Sequence, residues 1–177
     1  DIIYNFIFID SGNKIIAQHQ QYFGIKNSIK FIDNNESGII FHAQGSGKTY
    51  TMILLARYLK ENIENVKVIF ASDRTALDNK IFAKLNNTGE TVHQAASSSD
   101  LQNLINRKSV TFISTLMQKF RNLEIDKSDQ KIIVFIDEAH RTQSGKLHTE
   151  MKKVLPGAIF IGFTGTPLLK KDKNNSM

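Results

Sequence analysis

Short apolar runs recur along the chain, and each is followed by a polar turn and a segment of helical length. The runs are rich in β-branched residues and phenylalanine, with little alternation of hydrophobic and polar positions: 38–42, 66–71, 110–114, 131–137 and 158–163. Strands that are buried on both faces of a parallel sheet have this pattern, because helices cover both sides. The runs therefore predict five buried strands.

Amphipathic segments of helical period lie between these runs, at 48–62, 75–85, 97–107 and 145–155. Ser99 or Asp100 is the expected N-cap of the third helix. Alternation of strands and helices predicts an α/β domain, a mostly parallel sheet with helices on both faces. In such sheets ligands bind beyond the carboxyl ends of the strands, so the residues after each run are the candidate site.

Composition narrows the class of protein only a little. A chain of 177 residues with 41% hydrophobic content is sufficient for one globular domain. No apolar run is long enough for a transmembrane helix, and the first ten residues do not resemble a signal peptide. The absence of cysteine excludes disulfides and thiolate zinc sites, which suits the cytoplasm. The net charge of +6 is compatible with a polyanionic partner, and equally with abundant lysine throughout.

A glycine-rich loop follows the first run, where residues 42–49 read HAQGSGKT. Gly45 and Gly47 allow the backbone to curl, so that N–H groups of Gly45, Ser46 and Gly47 point at phosphate oxygens. The N-terminal end of the following helix adds partial positive charge. This placement between strand and helix predicts a nucleotide-binding loop rather than a simple turn.

The side chains at the end of the loop supply the remaining phosphate chemistry. The Lys48 ammonium can reach the β- and γ-phosphates, and the Thr49 hydroxyl can ligate Mg²⁺. His42 stands where a stricter template has glycine. We expect packing and hydrogen bonding within the loop from His42, not catalysis.

Two acidic residues end the fourth run. Asp137, at the end of an apolar strand downstream of a phosphate loop, can hold Mg²⁺, and Glu138 can polarise the attacking water. A solvated acidic turn would look the same in isolation. Together with the loop, the pair predicts phosphoryl transfer, with Lys48, Asp137 and Glu138 as the catalytic residues.

The order of the motifs carries a family resemblance. AQGSGKT, DEAH and TGTP, at 43–49, 137–140 and 164–167, are ordered as in superfamily 2 helicases and translocases. More narrowly, the chain resembles the motor subunit of type I restriction-modification enzymes, from about Lys14 to Leu168. The segments that carry this resemblance are FHAQGSGKTYTM, SDRTALD, STLMQKF, IDEAHRTQSG and FIGFTGTPL.

The resemblance implies a RecA-like P-loop ATPase domain at 33–170, after a lead-in at 1–32 and before a polar tail at 171–177. It implies ATP and Mg²⁺ as cofactors and double-stranded DNA as the translocated partner, with cleavage by another domain. Methyltransferase and specificity subunits are the implied protein partners, in the cytoplasm and without a membrane.

On the adenine side, the resemblance assigns Gln21 to the edge of the base, and Tyr22 or Phe23 to packing against it. An ordinary helix face before the first strand is the alternative for all three residues. Arg74 and Thr115 fall where the family places contacts to the nucleic-acid backbone, which carry no sequence information.

Some of these positions could instead have a purely structural role, and others are implied to couple ATP hydrolysis to DNA translocation. Arg74 is equally compatible with an ion pair to Asp73 or Asp78, and Lys119 and Phe120 with an amphipathic helix. By resemblance, the segment after strand 131–137 is coupled to a third motif after the last run, through the following residues: His140, Arg141, Thr164, Gly165 and Thr166.

We expect the chain to be part of a longer polypeptide, because it begins without Met and stops soon after TGTP. A second RecA-like domain with its arginine finger would then lie elsewhere. Since such a finger contributes about 10³- to 10⁵-fold to turnover, the chain alone should bind ATP weakly and hydrolyse little. Two alternatives remain: another superfamily 2 helicase or repair translocase, and a nucleotide-binding module that does not hydrolyse ATP. Glu138 argues against the second.

Overall fold

The computed structural model describes residues 6–43, 45–121, 123–125, 130–137 and 142–165, with side chains from Leu147 onward in the last range. The chain begins with a small antiparallel hairpin of strands β1 (Ile7–Asp10) and β2 (Asn13–Ile16). Helix α1 (His19–Asp33) follows it. The sequence analysis did not predict this hairpin, whose second strand has only one partly buried residue and therefore no buried apolar run.

The main sheet has six strands, all parallel to their neighbours, in the order β3-β8-β7-β4-β6-β5. These strands are β3 (Gly38–Phe41), β4 (Val66–Ser72), β5 (Val92–Gln94), β6 (Phe112–Leu116), β7 (Lys131–Asp137) and β8 (Ile159–Thr164). Five of them are the predicted apolar runs to within two residues. The sixth, β5, is only three residues long and contains His93 and Gln94, so its pattern gave no strand signal.

The connecting segments are helical, as the strand–helix alternation predicts. They are α2 (Lys48–Asn62), α3 (Thr75–Asn87), α4 (Ser98–Asn106), α5 (Thr142–Val154) and a short 3-10 helix at Met117–Phe120. No helix in the described ranges is long and apolar enough to cross a membrane.

The expected N-cap of α4 is wrong by two or three residues. Ser97 is the N-cap: its backbone is extended (φ −140°, ψ 176°), and its hydroxyl accepts from the Asp100 backbone N–H at 3.1 Å. Ser99 and Asp100 lie within the first turn instead. The Asp100 carboxylate accepts from the Ala96 backbone N–H at 2.8 Å, so both side chains satisfy N–H groups at this helix start.

The sheet separates two apolar clusters, because successive side chains of a strand point to opposite faces. Phe70, Phe135 and Phe163 lie side by side on one face, with ring centroids 5.5 and 5.4 Å apart, and pack with α1, α2 and α3. Ile69, Ile136 and other residues of the opposite face pack against α4 and α5. Strand β4 is buried along its whole length.

A lysine is buried on the face of the sheet that packs against α4 and α5. Lys67, on β4, is fully buried, and its Nζ donates to the carbonyls of Leu104 and Arg107, both at 2.9 Å. These are carbonyls of the C-terminal end of α4, where partial negative charge favours a cation. Burial nevertheless lowers the pKa of Lys67 to about 8.

This lysine predicts a pH-dependent stability. Because the folded protein binds the Lys67 proton less tightly than the unfolded chain, the free energy of unfolding gains a contribution as pH rises from about 8 towards 10.5. Over this pH range, we expect the free energy of unfolding of the wild type, relative to that of Lys67→Met, to increase by about 1 kcal/mol per pH unit. Urea unfolding at pH 7 to 10 measures the difference, and Lys26→Met, at an exposed lysine of α1, is the control. Parallel stability curves for wild type and Lys67→Met would contradict it.

Candidate nucleotide-binding site

The loop between β3 and α2 has the backbone conformation that its glycines predict. Gly45 and Gly47 have φ values of +80° and +79°, in the left-handed region, and Gly47 is the residue immediately before α2. The Ser46 N–H and hydroxyl both donate to the Ala43 carbonyl, at 3.2 and 2.6 Å. The Ser46 N–H is thus directed at Ala43 within the loop and not, as expected from the sequence, at a phosphate position, while the loop leads directly into the positive end of α2.

His42 packs and hydrogen bonds within the loop, as expected. It is buried, and its Nδ1 lies 3.2 Å from the Ser46 hydroxyl. On its other side, α1 approaches so closely that a Cβ at Gly24 would be 3.0 Å from His42 Nε2. Burial, with a smaller contribution from Lys48, lowers the pKa of His42, so the imidazole is neutral at neutral pH. The positive charge of the loop thus comes from Lys48.

Gln21 is joined to the loop through its side-chain amide. The side chain is buried, and its Nε2 donates to the carbonyls of Gly47 and Ser46, at 3.1 and 3.3 Å. Its Oε1 accepts from the Gln18 backbone N–H at 2.8 Å, which caps α1. These contacts place Gln21 beside the phosphate loop, and its recognition of adenine stays a prediction.

The neighbouring aromatic residues of α1 differ in exposure. Tyr22 packs against Phe6 with ring centroids 5.0 Å apart, while Phe23 is half exposed. Phe23 has the freer ring for packing against a base, and this contact also stays a prediction.

Lys48 and Thr49 are the first two residues of α2, and both are partly exposed. Their placement is that of a phosphate-binding lysine and a metal-binding hydroxyl, one residue beyond the glycine loop. The helix behind them is firmly held, because its residues from Thr51 to Ala56 are all buried.

Asp137 is the last residue of β7 and is buried, on the same face of the sheet as Phe135 and α2. Strand β8 lies between β7 and β3, so Asp137 is about 10 Å from the strand that carries the loop. Phe163 of β8 is paired with both Asp137 and Ile40, and so lies between them. Thr164, the last residue of β8, is paired with Phe41, and its carbonyl accepts from the His42 N–H at 2.9 Å. The fold thus brings the loop, the start of the third motif and Asp137 together at the carboxyl ends of neighbouring strands.

Some predicted site residues lie outside the described residues: Glu138, His140, Arg141 and Thr166. Their roles stay predictions. Gly165 directly follows Thr164 and is half buried, so the start of the third motif does lie at the expected edge.

Ser72 is a candidate residue that the sequence analysis missed. It ends β4, beside β7, and the register that pairs Ala71 with Ile136 puts it alongside Asp137 on the α2 face. It is fully buried, and its hydroxyl has no hydrogen-bond partner among the described residues. Only the sheet register could reveal it, since a serine at a strand end is unremarkable in sequence.

The two residues predicted to contact nucleic acid differ in exposure. The Arg74 side chain is 60% exposed, with its Nε 3.7 Å from the Asp73 carboxylate, which is a loose ion pair. Thr115 is fully buried in β6. A contact from Thr115 to a nucleic acid stays a prediction, and Arg74 is the better placed of the two.

The other residues of this region have structural contacts. Asp78 is buried and accepts from the Ser114 hydroxyl and from Gln94 Nε2 at 2.9 Å, so it is not the partner of Arg74. Lys119 donates to the Ala95 carbonyl, and Phe120 is fully buried. The structural interpretation of Lys119 and Phe120 is therefore favoured, within a 3-10 helix.

A family model described as SWI2/SNF2 ATPase matches residues 20–177. The chain belongs to this family. The match covers the loop, both acidic residues and the third motif of this SWI2/SNF2 domain, and it begins after the N-terminal hairpin.

Relatives of the SWI2/SNF2 domain include endonuclease subunits of type I restriction enzymes. MjaIXP of Methanocaldococcus jannaschii carries this name and is 31% identical over 98% of this chain and 18% of its own length. HindI of Haemophilus influenzae is 30% identical over 91% of this chain and 18% of its own length. The chain thus spans about a fifth of the length of these relatives.

Solved structures confirm the RecA-like fold. The UvsW helicase from bacteriophage T4 superposes with a TM-score of 0.69, at 18% identity over 90% of this chain and 56% of its own. The Sulfolobus solfataricus SWI2/SNF2 ATPase core, in complex with double-stranded DNA, gives 0.65 at 16% identity over 100% and 36%. The Type ISP restriction-modification enzyme LlaGI, with a DNA substrate mimic, gives 0.63 at 18% identity over 87% and 18%.

The loop geometry predicts different costs for its two glycines. A Cβ at Gly47 would lie 2.6 Å from Gln21 Nε2, whereas a Cβ at Gly45 meets nothing within 4 Å. Both alanine variants carry the left-handed strain of about 1–2 kcal/mol, and only Gly47→Ala adds a clash. We expect Gly47→Ala to lower the melting temperature more than Gly45→Ala. Adding Gln21→Ala should relieve the excess, and equal melting temperatures for the two glycine variants would contradict the geometry.

Proposed function

We propose that this SWI2/SNF2 domain is the first ATPase domain of the motor subunit of a type I restriction enzyme. In this proposal it binds ATP with Mg²⁺ and couples hydrolysis to translocation of double-stranded DNA, before cleavage by another domain. Methyltransferase and specificity subunits are its proposed partners in the cytoplasm. The relatives' names support the restriction system, and the geometry of the loop and the acidic residue supports the ATPase.

The observation that carries the ATPase activity is the common edge of β3, β8 and β7. The left-handed Gly45 and Gly47, the N-terminal end of α2 and the buried Asp137 all lie there, on one face of the sheet. A phosphate group needs N–H donors and positive charge, and a divalent cation needs oxygen ligands. The residues present therefore fit a nucleotide with its metal ion.

The proposed roles follow from these positions. Lys48 would neutralise phosphate charge, and Thr49 and Asp137 would hold Mg²⁺, which would balance charge developing on the phosphates. Phosphate oxygens and water would complete the shell of the metal ion. Glu138 orients the attacking water. Positioning and electrostatics then supply most of the rate acceleration.

Coupling to DNA is proposed through the ends of the same strands. Thr164, Gly165 and Thr166, with His140 and Arg141, transmit the state of the nucleotide, because Thr164 accepts from His42 at the start of the loop. Arg74, which is exposed, would contact the phosphate backbone of duplex DNA, which positions the protein without reading sequence, whereas the predicted contact of Thr115 would need this buried residue to become accessible.

Lys48→Ala tests nucleotide binding. We expect ATP affinity to fall by at least about 10- to 100-fold, since a charge-assisted hydrogen bond contributes about 1.5–3 kcal/mol. Isothermal titration calorimetry measures the affinity, and a circular-dichroism melt should be unchanged. Lys26→Ala, at an exposed position of α1, is the control. A collapsed melt would make Lys48 structural, and unchanged affinity would refute the site.

Turnover of the parent protein with its partners tests the restriction motor. We expect ATP hydrolysis on unmethylated duplex carrying the recognition site, and little on methylated duplex, single-stranded DNA or RNA.

Arg74→Ala should lower duplex affinity and reduce the slope of log affinity against log salt by about one. Arg107→Ala, at the opposite edge of the sheet, should change neither. Turnover indifferent to methylation and partners would leave a general helicase.

A further inference from the structure

The N-terminal hairpin, residues 6–17, packs directly on the nucleotide half of the domain. Phe8 lies against Tyr50 with ring centroids 5.6 Å apart, and Phe6 lies against Tyr22 of α1. Phe6 and Phe8 are both buried in the cluster that includes α2. The hairpin lies before the residues matched by the family model, so that match gives it no role.

A three-membered polar cluster joins this hairpin to two helices. The Tyr50 hydroxyl, on the first turn of α2, donates to Asp10 Oδ2 at 2.6 Å. Lys84, on α3, donates from its Nζ to the Tyr50 hydroxyl at 2.7 Å and to Asp10 Oδ2 at 3.3 Å. The Lys84 ammonium also lies 4.0 Å from the centroid of the Tyr50 ring. Three elements that are distant in sequence therefore meet at one hydroxyl.

The cluster contains an ion pair, in which the Asp10 carboxylate is buried and the Lys84 side chain is partly exposed. Asp10 is only 8% exposed. The hydrogen bond from Tyr50, with that from Lys84 and against the effect of burial, holds the pKa of Asp10 below its ordinary value. A carboxylate and an ammonium ion in such surroundings make stronger hydrogen bonds than neutral groups. The contact therefore constrains the Tyr50 ring more than an exposed ion pair would.

Tyr50 in turn lies beside the phosphate loop, three residues after Gly47. Its Cδ2 lies 3.8 Å from the position of a Cβ at Gly47, whose other neighbour is the Gln21 amide. Tyr50 is also only two residues beyond Lys48, on the turn whose N–H groups face the loop. A displacement of Tyr50 would thus act on the first turn of α2 and, through it, on Gly47, the residue that precedes the helix.

We propose that Asp10, Tyr50 and Lys84 are positioning residues for the phosphate loop. Through the Tyr50 ring they hold Gly47 and the first turn of α2 in the conformation that binds phosphate, so the hairpin supports the nucleotide site. Preorganised N–H groups bind an anion without the cost of ordering the loop. The proposal rests on the proposed function for the identity of the ligand, a nucleoside triphosphate with Mg²⁺.

Asp10→Asn and Tyr50→Phe test this cluster, since each removes polar contacts while nearly preserving side-chain volume. We expect the affinity for Mg·ATP, measured by calorimetry, to weaken about 3- to 10-fold, as for residues that act through another group. Amide hydrogen exchange of residues 45–51 should become faster in both variants. Because the two side chains share one network, the double variant should bind Mg·ATP with only slightly lower affinity than the single variant that has the larger loss.

The matched control is an ion-pair cluster at the other end of the same helix. Glu90 contacts Lys60 at 2.8 Å and Arg57 at 3.3 Å, both on α2. Glu90→Gln should lower the melting temperature without changing Mg·ATP affinity or exchange at 45–51. If Asp10→Asn and Tyr50→Phe behave like Glu90→Gln, the cluster is only an anchor for the hairpin and the proposal is wrong.

Hydrogen exchange separates this proposal from the proposed function. If wild type binds no Mg·ATP, the proposed function fails. Faster exchange at 45–51 in the two variants, and not in Glu90→Gln, would still support the positioning of the loop. Unchanged exchange in all three variants would overturn it, whatever the nucleotide affinity.

Discussion

Burial of the central strands on both faces is the constraint on which the rest of the structure depends. Phe70, Phe135 and Phe163 form one layer of the core, and the alternate residues of the same strands form the other. Helices must therefore cover both faces, and every strand must return by a crossover in the same direction. All strands then end at the same edge, which is why residues from distant parts of the sequence meet there.

Within this frame the phosphate loop is supported from several sides. From α1, Gln21 donates to two carbonyls of the loop, His42 Nδ1 lies 3.2 Å from the Ser46 hydroxyl, and Tyr50 lies beside the loop on the first turn of α2. Left-handed glycines are flexible by themselves, so these contacts supply the rigidity that the loop lacks. Helix α2 behind the loop has the same effect on Lys48 and Thr49, because its residues from Thr51 to Ala56 are close-packed in the core.

The sequence predicts those elements that depend on a local pattern of residues, and it does not predict contacts between segments that are distant in the chain. The apolar runs predict the strands because their burial is continuous, and GSGKT predicts the loop because glycine spacing dictates the backbone. By contrast, β5 is too short for a pattern, and Ser97 could be distinguished from Ser99 only by backbone conformation. The alignment of Ser72 with Asp137 depends on sheet register, which no local signal specifies.

The same limit applies to polar clusters. Asp10, Tyr50 and Lys84 are separated by 40 and 34 positions, and nothing in their surroundings marks them as partners. Asp78 illustrates the point: it is an acidic residue on an amphipathic helix, yet it is buried and bonded to Ser114 and Gln94. Long-range hydrogen bonds of this kind follow from the fold, so they become visible only when the fold is known.

The position of β3 at the edge of the sheet has a consequence for how the site is assembled during synthesis. Among the strands that the structure describes, its one neighbour is β8, which lies more than a hundred residues later in the chain. A ribosome must therefore complete Ile159–Thr164 before β3 can enter the sheet in register. Contacts between such distant segments form slowly. The strand that leads into the phosphate loop is then among the last to be docked, so a nascent chain would acquire its core before its nucleotide site.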